Sequence, residues 1–396
     1  MLIGIDASRA NNDEKTGVEW YAYFIIQELK KIIPADIHVR LYTREPLKGD
    51  LARLPPNWQE KVLRWPPRRL WTQIRLSYEM WQNPPDVLFV PAHVLPLIVP
   101  KKTFLTIHDL GGLRFPAGYT LFEKIYARFY IRFALARAQI ITPSEFTREE
   151  ILYLFKSRPE NVKVIYNSYD SNLFKPVTDQ EKIQTVLKKH NIHQPFFLSI
   201  SRLEEKKNTV GIIKAFEIFK SRCHPFGKLR AGSERSEGSQ DSSVAPLPQN
   251  DSYSLVLLGK PGHGFGKVKK VRELLKYKND IILPGWVDTD DVPVLMSAAT
   301  AFIFPSFYEG FGIPILEALA CGLPVITSNL ASCPEVAQAA AILINPYRPA
   351  EIAQAMNEIV SSENLAADLK EAGLNRVKEF SWNKAAEAVW QTLRSA

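Results

Sequence analysis

The sequence predicts an α/β protein made of two doubly wound, Rossmann-like domains. Three observations predict it. Short β-rich runs alternate with longer helical segments from the N-terminus onward, which is the pattern of a parallel sheet with helices on both faces. The pattern restarts at Phe196, near mid-chain. The chain has 396 residues, which at roughly 150 per domain leaves room for two or three domains.

In the first half, strands are expected at 2–7, 37–42, 87–90, 104–107, 139–142 and 162–165. Helices are expected at 18–31, 70–81, 120–137 and 147–155, with Ser144 as the N-cap of the last. In the second half, strands are expected at 196–201, 254–259, 281–284, 301–305 and 324–327. The helices there are 209–221, 268–277, 290–298 and 315–321. The domain boundary is placed in the polar, proline-flanked stretch 175–194, giving a first domain over 1–180 and a second over 190–375. A C-terminal helical segment, 376–396, carries Trp382, Ala386, Val389 and Leu393 on one stripe and is expected to pack back on the first domain. Residues 223–252 are rich in Ser, Gly and Pro. They interrupt a connection that is normally two to six residues long, and read as an inserted surface loop.

Composition sets limits. Apolar residues make up 46% and charged residues 23%, which excludes disordered, collagenous and disulfide-scaffold classes. The formal charge of +8 is compatible with anionic partners without demanding nucleic acid. The three cysteines, Cys223, Cys321 and Cys333, form no CxxC pair and no disulfide framework. The N-terminus reads as a strand, without a signal peptide, and no apolar run is long enough to span a bilayer. A cytoplasmic protein is expected, with a peripheral membrane position open. Residues 64–71 place Arg64, Arg68 and Arg69 among tryptophans and prolines, ahead of Trp71, Ile74, Tyr78 and Trp81 at helical spacing. That stripe reads as core in the ordinary case, and as a face for an anionic membrane in the other.

Four stretches point to chemistry. The first is Ser306-Phe-Tyr-Glu309-Gly310-Phe311-Gly312-Ile-Pro314-Ile-Leu-Glu317, between a strand and a helix. Gly310 and Gly312 would let backbone amides approach a ligand, and the helix start with Pro314 at its first position favours an anion. Glu317 is placed in the first turn and Glu309 in the loop, so the two carboxylates address different parts of one ligand. The second is Ser201-Arg202-Leu-Glu-Glu-Lys206-Lys207-Asn208, whose cations suit a diphosphate. The third is Thr106-Ile107-His108-Asp109-Leu110 at a strand's carboxyl end, where ligands bind in open α/β sheets. His93, at another strand end, reads as structural. The fourth is the first strand-to-helix loop, from Asp6 and Arg9 through Thr16, Gly17 and Glu19.

The Glu-x7-Glu element with Ser-x-x-Glu-Gly-Phe-Gly-x-Pro resembles the signature of the retaining glycosyltransferases of family 4, which have the GT-B fold: two Rossmann-like domains facing across a cleft. The resemblance covers nearly the whole chain apart from the insert. It implies that Glu309 contacts donor-sugar hydroxyls and Glu317 the ribose hydroxyls. The amides of Gly310, Phe311 and Gly312 would face the sugar and diphosphate. Arg202 and Lys207, with Lys206 the rival for the lysine role, would hold the diphosphate. His108 would bond the donor's phosphate or a sugar hydroxyl, and Asp109 would orient it or touch the acceptor. Gly17 matches a glycine-rich loop. Glu19 stands where a second glycine is common, so it is expected to point towards the acceptor or solvent. Asn167-Ser-Tyr-Asp170 departs at Ser168 from a turn that usually has glycine. Gly285-Trp-Val287 lies where relatives hold the nucleobase, so Val287 is counted with the donor site.

The resemblance further implies same-face substitution in which the leaving phosphate helps deprotonate the acceptor, with no metal and no cofactor beyond the nucleotide sugar. The strand-end pattern and the following Leu113-Arg-Phe-Pro116 are similar to enzymes of surface polysaccharide and lipopolysaccharide assembly. This implies transfer of mannose from GDP-mannose to a saccharide or lipid-linked acceptor, with a UDP-glucose-type donor as the alternative. A nicotinamide oxidoreductase would need a Gly-x-Gly-x-x-Gly after a first strand, and neither half has one. A non-catalytic sugar-nucleotide binder is the remaining rival.

Overall fold

The computed structural model describes residues 1–66, 70–115, 121–221 and 252–395. The expected insert thus lies outside the described residues except for Ser252, as do Arg68, Arg69, Pro116 and Cys223. Among the described residues the strands are β1 (Leu2–Asp6), β2 (His38–Thr43), β3 (Trp58–Val62), β4 (Val87–Val90), β5 (Lys102–Thr106), β6 (Gln139–Thr142), β7 (Val162–Val164), β8 (Phe196–Ile200), β9 (Ser254–Leu258), β10 (Ile281–Gly285), β11 (Ala301–Phe304), β12 (Val325–Ser328) and β13 (Ala341–Ile344). They form two all-parallel sheets, in the orders β3-β2-β1-β4-β5-β6-β7 and β10-β9-β8-β11-β12-β13. Each is a Rossmann-like, doubly wound sheet.

Parallel strands covered on both faces read as continuous apolar runs rather than alternating ones. β4, Val-Leu-Phe-Val with every residue buried, is such a run. In each sheet the strand order reverses once, between β1 and β4 and between β8 and β11. The crevice at such a reversal, beyond the carboxyl ends of the strands, is where doubly wound folds bind ligands.

Contacts divide the chain into two units. The first comprises Met1–Tyr169, Glu309–Ile313 and Lys378–Ala396, and the second Asp170–Tyr308 and Pro314–Val377. The division therefore falls at Tyr169, ahead of the stretch 175–194. That stretch contains a helix, Gln180–Lys189, started by the Asp179 side chain accepting from the Lys182 amide. Its only buried residues are Ile183, Val186 and Leu187, too few apolar positions to outweigh its polarity in sequence.

In the first unit, one face of the sheet packs Ile3, Ile5 and Val39 against Ala22, Ile25 and Leu29 of the helix Gly17–Ile32. The terminal helix Trp382–Arg394 lies on the same layer. Its Trp382, Ala386, Val389 and Leu393 are buried there, and Trp382 stacks on Phe24 with centroids 5.3 Å apart. Ser381 caps it by accepting from the Lys384 amide. The other face packs Leu88, Val90, Leu105 and Ile140 against Trp71, Tyr130 and Ile151. In the second unit, Phe197, Leu255, Leu257 and Ile303 meet Ile212, Phe216, Ile352 and Met356.

Three further expectations need correction. The strands β3 and β13 lie in stretches read as connections: β3 is half-polar, and β13 is only four residues long. The helix expected over 70–81 is split into a wide-turned stretch, Trp71–Leu76, and an α-helix, Ser77–Gln82. Its stripe is not one core face either. Trp71 is buried with its indole N–H donating to the Leu63 carbonyl, whereas Ile74, Tyr78 and Trp81 are exposed. No helix among the described residues is long and apolar enough to cross a membrane.

Candidate active site

In the first unit the expected residues cluster past the ends of β1, β4 and β5. His108 follows β5 by two residues. Its ring stands edge-on to Tyr21 at 4.7 Å and to His93 at 6.0 Å. The His93 side chain is exposed. The His108 Nε2 lies 3.3 Å from the Pro91 carbonyl oxygen. A carbonyl only accepts, so Nε2 carries the proton and Nδ1 is left as an acceptor. Burial, with the neighbouring His93 second, pushes the imidazole down to about 4. His108 is therefore neutral at pH 7.

The Asp109 Oδ1 accepts from the Gly111 amide at 2.9 Å and starts the turn Gly111–Arg114. Glu19 departs from expectation. It is buried and closes a capping box with Thr16, accepting from the Thr16 amide at 3.1 Å and pairing with Arg9 at 3.2 Å. Burial by itself would raise this carboxyl, but the Thr16 hydrogen bonds and the Arg9 charge hold it below its ordinary range. Thr16 and Glu19 fit the S/T-x-x-E box three residues apart, a signal legible in the sequence. Gly17 opens the helix, and an added Cβ would meet nothing within 4 Å, so no steric demand explains this glycine.

The loop Glu309–Ile313 belongs to the first unit. The Gly310 carbonyl accepts from the Ser144 hydroxyl at 2.6 Å and the Thr147 hydroxyl at 3.1 Å. A Cβ on Gly310 would lie 2.0 Å from the His108 carbonyl oxygen. Packing against His108 and Asp109 thus leaves no room for a side chain at Gly310. Gly312 has φ +104°, a conformation that favours glycine. Phe311 is buried between Tyr166 and Phe380, at 6.1 and 5.9 Å, and Glu309 is buried. The structure thus brings His108, Asp109 and Gly310 together. In sequence Ser144 and Thr147 signal only a helix start.

In the second unit the expected residues lie at the ends of β8, β10 and β11. After β8, Arg202 is exposed and its stem passes Gly262, where an added Cβ would sit 2.7 Å from the arginine Cγ. A short turn, Glu205–Lys207, ends at Asn208 with φ +56°. The Asn208 side chain locks this turn by donating to the Pro346 carbonyl at 2.6 Å and accepting from the Gly211 amide. The Lys207 ammonium sits 5.3 Å over the Phe304 ring at the end of β11. The Phe307 amide donates to the Lys206 carbonyl at 3.0 Å, tying the basic loop to the one after β11. In that second loop the Ser306 hydroxyl is buried without a hydrogen-bond partner among the described residues.

Glu317 lies on the helix Ile313–Ala320. Pro314 is the second residue of that helix, not the first, and Glu317 falls in the second turn, because the helix starts two residues earlier than its apolar pattern indicates. Burial, with the Asp170 charge second, pushes the Glu317 carboxyl up to about 8. Asp170 itself accepts from the Asn172 amide at 3.0 Å. The Glu317 charge in turn helps burial raise the Cys321 thiol to about 12. Val287 is buried beyond β10, after the left-handed Gly285 and the exposed Trp286.

Known proteins match this chain over most of its length. The family Glycosyl transferases group 1 matches residues 182–376, and Glycosyltransferase Family 4 matches residues 15–173. The O-antigen chain mannosyltransferase B of Escherichia coli is 27% identical over 283 residues, 71% of this chain and 67% of that one. The serotype-specific mannosyltransferase WbdA of Escherichia coli is 26% identical over 293 residues, 73% of this chain but only 33% of its own length. In structure, Anabaena Alr3699/HepE in complex with UDP-glucose superposes with a TM-score of 0.72 at 18% identity, covering 100% of this chain and 99% of that one.

Proposed function

Given that the chain belongs to the glycosyltransferases of group 1 and family 4, with two Rossmann-like domains of the GT-B class, we propose that it transfers a hexose from a nucleotide sugar to a saccharide or lipid-linked acceptor with retention of configuration. The observation that carries this reading is in the second unit. The basic loop with Arg202 and Lys207 and the loop leading to Glu317 follow β8 and β11, the two strands that flank the sheet's reversal.

In this reading Arg202 and Lys207 bind the diphosphate and stabilise the charge that develops as the glycosidic bond breaks. They do the electrostatic work that a divalent cation does elsewhere, so the reaction is metal-independent. Glu317 takes the ribose hydroxyls and Val287 lines the base. Glu309 and the His108 Nδ1 take hydroxyls of the sugar. An unprotonated nitrogen accepts from a hydroxyl and has nothing to donate to a phosphate oxygen, so His108 is assigned to the sugar. The departing phosphate removes the acceptor's proton on the face it leaves.

The donor is read as GDP-mannose and the setting as surface polysaccharide assembly, because both relatives named above are mannosyltransferases, one of O-antigen chains. A UDP-hexose is the second reading, favoured by the neighbour solved with UDP-glucose.

The test is thermal stabilisation by GDP, UDP, ADP and NAD, with Glu317→Ala beside wild type. A ligand at about 100 times its Kd adds roughly 2.7 kcal/mol. One nucleoside diphosphate is expected to stabilise wild type and not the variant, and its sugars are then assayed for transfer in the presence of EDTA. A response to NAD alone, or to no diphosphate, overturns the reading.

A further inference from the structure

Three arginines stand at one edge of the first unit's sheet. β1, β2 and β3 are neighbouring parallel strands, with Asp6 level with Tyr42 and Thr43 level with Val62. The ladder runs on past their ends. The Ala7 amide donates to the Tyr42 carbonyl at 2.9 Å, and the Leu63 amide to the Thr43 carbonyl at 2.8 Å. Arg44 directly follows β2, Arg64 comes just after β3, and Arg9 lies in the loop after β1. All three therefore follow carboxyl ends, on the side of the sheet where doubly wound folds bind ligands. Arg44 and Arg64 are exposed, and the Arg9 side chain is 42% exposed.

Two of these guanidinium groups are held in place. Arg44 lies 5.3 Å over the Trp71 ring, and Trp71 is fixed in turn by its N–H on the Leu63 carbonyl at 2.8 Å. Stacking engages the face of a guanidinium, whereas its N–H donors lie in the plane and form the fork that matches phosphate oxygens. Arg9 is tied to Glu19 at 3.2 Å. Burial pushes the Arg44 guanidinium down, Asp6 pulls it back up, and the like charge of Arg9 pushes it down again. The fold thus keeps two cations within each other's field. The carboxylates beside them have partners of their own. Asp6 accepts from the Ser8 amide at 2.9 Å, Glu19 accepts from the Thr16 amide, and Glu45 pairs with Lys48 at 3.7 Å.

We propose that this edge is a subsite for a phosphate group carried by the acceptor, with Arg9 and Arg44 meeting its oxygens and Arg64 adding charge beside them. Charge-assisted bonds from planar guanidinium groups discriminate a phosphate from the uncharged hydroxyls of a plain sugar. Neighbouring strands lie about 4.8 Å apart, so Arg44, two strands from β4, stands about 10 Å from the strand end that leads to His93. The phosphate therefore sits away from the hydroxyl that reacts. It selects the acceptor and takes no part in bond exchange. Calling the ligand an acceptor rests on the transfer proposed above; the anion site itself does not.

The test is calorimetric titration of the full chain with mannose 6-phosphate, mannose and inorganic phosphate, alone and in the presence of GDP or UDP. Mannose 6-phosphate is expected to bind in every case, and mannose and inorganic phosphate more weakly. Arg44→Gln with Arg64→Gln should weaken mannose 6-phosphate about tenfold and leave nucleoside diphosphate binding unchanged. Arg202→Gln should do the reverse. If the double variant melts below wild type, Arg64→Gln alone replaces it, with a loss of about threefold. Four outcomes overturn the proposal: no binding of mannose 6-phosphate, binding that the arginine variants leave unchanged, binding lost only in Arg202→Gln, or inorganic phosphate binding as tightly as the sugar phosphate. Failure of every nucleoside diphosphate to bind overturns the donor reading instead, and the anion site stands where Arg44→Gln with Arg64→Gln still loses mannose 6-phosphate.

Discussion

The carbonyl oxygen of His108 stands 2.0 Å from where a side chain on Gly310 would begin. Two loops far apart in sequence are packed backbone to backbone, and the Ser144 and Thr147 hydroxyls hold the Gly310 carbonyl on its other side. Gly310→Ala must push one of the two loops away, and neither contact is a flexible side-chain end. A loss of about 1–3 kcal/mol in stability is expected, together with at least a tenfold fall in kcat. Thermal melting and steady-state transfer assays check it; an unchanged Tm contradicts it.

The neutral state of His108 gives a second expectation. Its imidazole is held near 4 by burial and by His93, so its NMR signals should stay those of a neutral ring from pH 8 to pH 5.5. The protonated Nε2 follows from Pro91 as its acceptor. Titration near the ordinary histidine value of about 6.5, or a proton on Nδ1, would contradict the geometry.

Glu317 links stability to pH. Its carboxyl is pushed up from 4.5 to about 8, so between those values the folded state holds a proton that the unfolded state has lost. Stability from this group is full below pH 4.5 and is lost as pH rises through 8. Glu317→Gln keeps a neutral side chain at every pH. It should melt with wild type at pH 5 and a few degrees above it at pH 9. Equal melting at both pH values would show that the carboxyl is not raised.

Glu19 offers a contrast. Its bonds to Thr16 and Arg9 are local to the start of one helix. Glu19→Ala should cost about 1 kcal/mol of stability, as other lost caps do, and lower Tm by about 1–3 °C. The KM for donor should stay within about twofold, because the carboxylate is committed to the cap. A large rise in KM with an unchanged Tm would return Glu19 to the substrate.

The central strands and the helices that cover them were readable because each is an apolar run or a 3.6-residue stripe. β4 and the terminal helix with Trp382 and Leu393 are examples. β3 escaped notice because an edge strand buries little, and Trp58 alone carries its burial. The stripe Trp71, Ile74, Tyr78, Trp81 misled because spacing shows that residues share a helix face, and cannot show whether that face meets the core or solvent.

From the residues alone came the two parallel α/β domains, the loops that follow their strands and the residue types at those loops. These depend on local pattern and composition, which the chain carries in linear order. The tertiary structure decided what each polar group is bonded to. Pro91 fixes the tautomer of His108, Asp170 and burial raise Glu317, Thr16 takes Glu19, and His108 makes Gly310 a necessity. Hydrogen-bond partners and desolvation come from atoms that folding brings together across many residues of sequence, as with Gly310 and Ser144, 166 positions apart.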